Sequence, residues 1–441
     1  SGIISKTVNR LKYSIPIEAG IDQNYLGKID SIALDAIAMQ ATPGCQILIA
    51  RNGIVFYQKS FGHHTYQRKI PVQNTDLYDL ASITKIAATM PAIMSLSEQQ
   101  LLDIDERIST YLSYLDTTNK RDITIKDILL HQSRLKAWIP FYAKTLEPLH
   151  PGQDFASNRI SESYPIKIAN NYYVNKHLKY IENYFSNAAS EEFPVKVADN
   201  LYMNKTLLDT IWSDIAKSEL NGYEGYKYSD LGFYWLYRII EDLIDKKFEN
   251  YLDSAFYRPM GAWSLCFNPL NRFDKTSITP TENDLVFRRQ IIQGYVHDMG
   301  AAMLGGVCGH AGLFSNANDL AKMMQMYLCG GEYGNIRYLD METIEYFTQC
   351  QDYKNGNRRG IGFDKPEPDS TKNGPSSRLA SVKSFGHTGF TGTIAWVDPE
   401  EELIYIFLSN RVYPEITNSR LIDHNVRTKI QDVIYDAIIS E

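Results

Sequence analysis

Cysteine is scarce here and follows no pattern. Cys45, Cys266, Cys308, Cys329 and Cys350 are odd in number and far apart. No Cys-x-x-Cys pair occurs, so neither a disulfide framework nor a zinc site is implied, and buried thiols are expected. His63-His64 has no further ligand at useful spacing, and His-Glu-x-x-His is absent. The sequence therefore requires no metal and no cofactor. A Gly-rich phosphate loop, a nucleotide fingerprint and Gly-x-Ser-x-Gly are all missing, which disfavours nucleotide enzymes and the nucleophile-elbow hydrolases. Positive charge is short as well. Lys and Arg number 45 against 52 Asp and Glu, for a net charge of −7, which argues against nucleic acid as the main partner. No apolar run reaches transmembrane length and no signal peptide is visible. The chain opens at Ser1 rather than Met, as expected of a mature form or of a segment excised from something longer.

What is present is globular. The 441 residues are 44% hydrophobic and 22% charged, enough for two ordinary domains or one large one with insertions. Tyrosine is abundant, at 30 residues against 18 phenylalanines. It suits half-wet surfaces, whether ligand grooves or plain strand edges.

After a polar lead-in over 1–26, residues 29–39 repeat apolar side chains at helical spacing. Two β-rich runs, 45–50 and 54–60, flank Asn52-Gly53, a strong hairpin signal. Helical segments follow to 130. Residues 139–217 are rich in Tyr and Asn, with no sustained period, and read as an insertion or helical cap. An apolar helix is expected from Leu231, and a second after Ser315 as its cap, ending at Gly330-Gly331. Residues 364–380 read as a loop. Strands at 393–397 and 403–409 and a last helix over 425–439 complete the chain. The fold class is α/β: an antiparallel sheet formed by both chain ends, flanked by helices, with an inserted mainly helical domain. The expected division is 1–80 with 300–441 as the sheet domain, and 81–299 as the helical domain carrying the 139–217 insertion.

The stretch 78–90 organises the rest. Ser82 and Lys85 stand at i,i+3 spacing, on one helical face, at the front of an all-round apolar run with Asp76 and Asp79 just ahead. A serine hydroxyl needs a base, and a desolvated lysine near other positive charge can lose its proton and be that base. The helix N-terminus would depress the lysine further and offer N–H groups to an oxyanion. A second Ser-x-x-Lys, Ser133 to Lys136, has no apolar helix behind it and reads as a turn.

An acyl-transfer site also needs a proton relay and an oxyanion pocket. Tyr228-Ser229-Asp230, placed directly before a buried helix, can supply the relay. The pattern alone is weak, since Tyr114, Tyr173, Tyr202 and Tyr251 match it too. In Gly386-His-Thr-Gly-Phe-Thr-Gly392 the glycines give a substrate access to backbone. The N–H of Phe390 can join that of Ser82 around an oxyanion, and His387 can polarise or bind a carboxylate.

Taken together, Ser82-x-x-Lys85, Tyr228-x-Asp230 and His387-Thr388-Gly389 resemble the penicillin-recognising serine hydrolases: class C β-lactamases, D-alanyl-D-alanine carboxypeptidases and related esterases. The resemblance spans about residues 20–435. It implies an acylated Ser82, proton transfer by Lys85 and Tyr228, and a third motif (His387, Thr388, Gly389) on the strand beside the serine, with Phe390 and Asp230 contributing to oxyanion and substrate binding. Many members carry Lys at the position of His387, and β-lactamases usually carry Asn at that of Asp230. The chain looks more like the peptidase and esterase branch. Val296-His-Asp298 and His310 to Ser315 also resemble β-lactamase-related modules that in some chains follow a family 3 glycoside hydrolase (β-N-acetylglucosaminidase). The implied partner is a small-molecule or peptide substrate, peptidoglycan fragments among them, in the bacterial periplasm or envelope. The alternative is a weakly or non-catalytic module that binds such fragments.

Overall fold

The computed structural model describes residues 9–439. The first eight residues of the expected lead-in, and the last two of the chain, lie outside them. Six strands form the main sheet: β1 (Lys12–Tyr13), β2 (Gly44–Arg51), β3 (Ile54–Gly62), β4 (Phe385–Thr388), β5 (Ile394–Asp398) and β6 (Leu403–Ser409), in the order β1-β3-β2-β6-β5-β4. Both chain ends contribute, as expected. The β2–β3 hairpin turns at Asn52-Gly53, with both residues at positive φ. β2 pairs antiparallel with β6, Cys45 opposite Ser409. β1 pairs in parallel with β3, so part of the lead-in is a strand.

Alternation along the strands divides the core. Ile47, Ile49, Trp396, Tyr405 and Phe407 pack with helices α1 (Leu26–Ala38) and α5 (Val426–Asp436) on one face. Leu48, Ala50, Ala395, Val397, Ile404 and Ile406 face the other way, into the larger core around Ile83, Ile86 and Met90. α4 (Ala317–Leu328) packs on that second face, and α2 (Met90–Glu98) and α3 (Leu231–Ile244) join the same core against the segment Lys85–Thr89. Asn316, not Ser315, caps α4: its side chain accepts the Asp319 N–H, while Ser315 ends a short strand. The thiols of Cys45, Cys266 and Cys308 are buried as expected, whereas Cys350 is exposed.

The Tyr- and Asn-rich stretch departs from its expected form. It is not a helical cap. From Leu146 to Met203 it is built of short antiparallel strands, and one helix, Thr206–Lys217, follows. Asn170-Asn171 joins Ile166–Ala169 to Tyr172–Val174, and Asp199-Asn200 joins Val195–Ala198 to Leu201–Met203. Asn171 and Asn200 sit at positive φ, where asparagine costs least after glycine. Those asparagines turn hairpins.

Candidate active site

Ser82 follows Ala81, a non-glycine residue at φ +48, and precedes a buried helix. That helix is not regular. Lys85–Thr89 forms a π-turn in which the Met90 N–H reaches back to the Lys85 carbonyl. Pro91 explains it, since proline has no N–H for the Ala87 carbonyl and its ring crowds that oxygen. The loosened carbonyls find other donors: Tyr257 Oη bonds Ala87 O at 2.8 Å and Tyr327 Oη bonds Ile86 O at 2.7 Å. Of the two acids ahead of the serine, Asp76 pairs with His64, and Asp79 accepts the Ala81 N–H at 2.9 Å.

Ser82, Lys85 and Tyr228 close a triangle. Lys85 Nζ donates to Ser82 Oγ at 2.9 Å and to Tyr228 Oη at 2.7 Å, and Tyr228 Oη donates to Ser82 Oγ at 2.9 Å. Asp230 Oδ1 accepts from Lys85 Nζ at 2.6 Å. This carboxylate corrects the expected state of the lysine. Burial pushes the Lys85 ammonium down, but Asp230 and Tyr228 more than offset it and hold the group above its ordinary value. Burial pushes the Tyr228 phenol up, and the lysine charge only partly opposes it. At rest, therefore, the lysine is an ammonium and the tyrosine a phenol.

The second Ser-x-x-Lys segment holds the relay in place. His131 O accepts the Lys227 N–H at 2.8 Å, and His131 Nδ1 accepts the Ser229 N–H at 3.2 Å. Lys136 O accepts Ser229 Oγ at 2.7 Å, and Ala137 O accepts the Asp230 N–H at 3.0 Å. The His131 ring packs on Tyr228, with centroids 4.4 Å apart. Ser133 lies buried in this turn, away from the reacting groups.

The third motif is the edge strand β4. At Gly389 a Cβ would sit 2.6 Å from the Leu80 carbonyl, so glycine lets this backbone close on the nucleophile turn. His387 is buried with Nδ1 2.7 Å from the Thr388 carbonyl, which makes that nitrogen the donor. Burial and the nearby Arg359 and Lys85 charges hold the ring neutral, well below its usual pKa. A neutral ring with a free Nε2 lone pair accepts hydrogen bonds, so the expected carboxylate contact does not suit it. Among the described residues, neither the Ser82 nor the Phe390 N–H donates to a protein acceptor.

These groups open on one cavity of about 680 Å³, lined by Ser82, Tyr228, Asp230, His387, Thr388, Gly389 and Phe390 among others. Tyr114, Tyr173, Tyr202 and Tyr251 take no part in its lining. The insertion contributes Ile139, Pro140, Tyr142, Ile168 and Ala169, while Tyr172 and Tyr184 pack against the core. No group of three or more His, Cys, Asp or Glu able to hold a metal is found among the described residues.

The sequence profile described as Beta-lactamase matches residues 29–424. The chain belongs to the Beta-lactamase family. It is a serine hydrolase of that family, with acyl-enzyme chemistry. A protein of Escherichia coli (strain K12) described as a putative D-alanyl-D-alanine carboxypeptidase is 28% identical over 447 residues, covering 94% of this chain and 90% of that one. A Salmonella typhimurium protein of the same description is 27% identical, over 92% and 87% of the two chains. In fold, the chain resembles EstCE1, a hydrolase with promiscuous acyltransferase activity (TM-score 0.62, 16% identity, 95% and 100% covered). It also resembles an octameric penicillin-binding protein homologue from Pyrococcus abyssi (TM-score 0.58, 19% identity, 91% and 78% covered).

Within this Beta-lactamase-family cavity two residues escaped the sequence reading. Arg359 is 1% exposed and lines the wall, its guanidinium carbon 5.9 Å from the Tyr228 ring. Asp364, its partner at 3.5 Å, is shared with Arg358 at 2.8 Å; the Tyr226 hydroxyl lies beside the guanidinium, and Arg359 Nε and Nη2 make no close hydrogen bond. One arginine of the Arg358-Arg359 pair in a loop gives no sequence signal. The other is His131, beside the second Ser-x-x-Lys, which backs the cavity from behind Tyr228 through its stacking and its bonds to Lys227 and Ser229. His310, named earlier, pairs with Asp298 at 3.0 Å and stacks on Tyr234. Among the described residues, no helix is long and apolar enough to cross a membrane.

Proposed function

We propose that the chain cleaves amides or esters of the D-amino-acid-peptide class through an acyl-enzyme on Ser82, as a carboxypeptidase or esterase. The observation that carries this reading is the closed Ser82–Lys85–Tyr228 triangle facing the cavity. Ser82 Oγ attacks the carbonyl carbon as its proton passes into the Lys85–Tyr228 pair. The N–H groups of Ser82 and Phe390 take the developing oxyanion. The pair then protonates the departing nitrogen or oxygen, and water attacks the ester to release the acid and free Ser82. With both members protonated at rest, the pair must first shed one proton. That proton belongs to the pair rather than to either residue.

Arg359, buried in the cavity wall beside the Tyr226 hydroxyl and with Nε and Nη2 free of close hydrogen bonds, suits a carboxylate on the leaving group. The names of the Escherichia coli and Salmonella relatives support a D-alanine-ended peptide. Peptidoglycan fragments have this chemistry, and an envelope location follows from the same reading.

The test is the mass of the Ser82 peptide after exposure to activated esters, D-alanyl-D-alanine peptides and β-lactams. Esters and peptides should acylate Ser82 and turn over, and penicillins should turn over poorly. Arg359→Met should depress kcat/KM roughly tenfold to a hundredfold for the carboxylate-bearing peptide and spare a neutral ester. Acylation that survives Ser82→Ala would remove the nucleophile assignment. Rapid penicillin turnover would remove the peptidase and esterase preference.

A further inference from the structure

His297 stands outside the triangle, yet it is gripped from several sides. Its N–H donates to Asp79 Oδ2 at 2.6 Å, and the other oxygen of that carboxylate accepts the Ala81 N–H, one residue before Ser82. Its carbonyl accepts from Arg288 Nη2 at 2.8 Å. Its Nδ1 lies 2.9 Å from Glu282 Oε1, an oxygen that also accepts from Arg288 at 2.9 Å. Arg288 is itself buried and fixed by Asp284 at 2.8 Å. The imidazole is thereby set in one place, and the Phe390 ring lies flat on it, centroids 5.2 Å apart and planes 9° apart. The Arg411 guanidinium carbon stands 4.7 Å from the centroid of the same ring. Phe390 is 48% exposed and follows β4 in a turn, so burial does not fix it. The stacking does.

We propose that His297 is a positioning residue for acyl transfer: it holds the Phe390 N–H at its working distance from the Ser82 N–H. The inference rests on the acyl-enzyme reading above. One end of the connection reaches the nucleophile turn through Asp79, and the other reaches the third motif through the stacked rings. Oxyanion donors help only when aligned before charge develops, and a displacement of about 1 Å costs as much as a hundredfold in rate. Thr391 Oγ1 to Asp79 O at 2.8 Å and Thr393 Oγ1 to Leu80 O at 3.1 Å tie the same two segments independently. Loss of the stack therefore loosens the pocket without unfolding it.

The experiment uses the full chain, a nitrophenyl ester and a serine-reactive phosphonate. His297→Ala should lower kcat roughly tenfold to a hundredfold with KM within about threefold. Phe390→Ala keeps its N–H and loses the ring, and should show the same pattern. The double variant should be no worse than either single one, because both remove one contact. His297→Phe, which restores a flat face, should recover most of kcat. Should His297→Ala fail to fold, the half-exposed Phe390→Ala and the His297→Phe variant still decide the matter. Wild-type kcat in either alanine variant, a loss confined to KM, or additive effects would overturn the inference. Failure of the phosphonate to label wild-type Ser82 would instead overturn the acyl-enzyme reading, and this inference with it.

Discussion

Two segments of this chain carry Ser-x-x-Lys, and they have opposite fates. Around Ser82 the spacing sits where a positive-φ residue meets a buried helix, so hydroxyl and amine meet at 2.9 Å. Around Ser133 the same residues lie in a turn, Arg134 is at positive φ, and the backbone carbonyls rather than the side chains are put to use. The motif is the same. What differs is the apolar run behind it, which buries Lys85 completely and aims it at its neighbours. The second segment still contributes, as the template for Tyr228-Ser229-Asp230.

The contrast can be broken most directly at its centre. Ser82→Ala and Lys85→Arg should each cost about 10³-fold or more in kcat/KM, since removing one member of a catalytic unit disables the whole and arginine cannot give up its proton. Ser133→Ala and Lys136→Arg should stay within about twofold of wild type. Ester kinetics on the four purified variants decide this, and comparable losses in both segments would erase the distinction.

A smaller effect tests the charge state. In Asp230→Asn the carboxylate that stabilises the Lys85 ammonium is gone, so the pair loses its proton at lower pH. The ascending limb of the kcat/KM profile, where activity rises as that proton leaves, should move down by roughly one pH unit. A limb that stays in place, or moves up, would mean that Asp230 does not set the lysine. The smallest effect belongs to the template. Ser229→Ala loses its bond to Lys136 O and one to the Leu231 N–H, and should cost about 1 kcal/mol of stability with only a few-fold change in kcat. A chemical-denaturation midpoint measured beside the kinetics checks both.

Much of this was legible in advance, for identifiable reasons. The 45–60 hairpin and the strands at 393–397 and 403–409 announce themselves because they are long enough to alternate and, for the hairpin, because Asn-Gly marks the turn. Ser82, Lys85, Tyr228 and the third motif were found by combining three weak patterns in order, and the structure gathers them around one cavity. The 146–203 strands were not found. At two to four residues each they are too short to show a period. Lys85 was read as a neutral base because sequence spacing shows burial but not that Asp230, far along the chain, lands 2.6 Å from it. Arg359 and His131 were missed for the same reason: isolated residues acquire meaning only from what folds against them.

The pairing of β2 with β6 sets the order in which this protein can come to life during synthesis. Cys45 lies opposite Ser409, so the 44–62 hairpin keeps an open edge until β6 has been made. The third motif also arrives late, with β4, long after Ser82. A nascent chain bearing the nucleophile, its lysine and its tyrosine still lacks the wall that would take the oxyanion. Chain order thus leaves the site incomplete until β4, β5 and β6 have followed the nucleophile out of the ribosome.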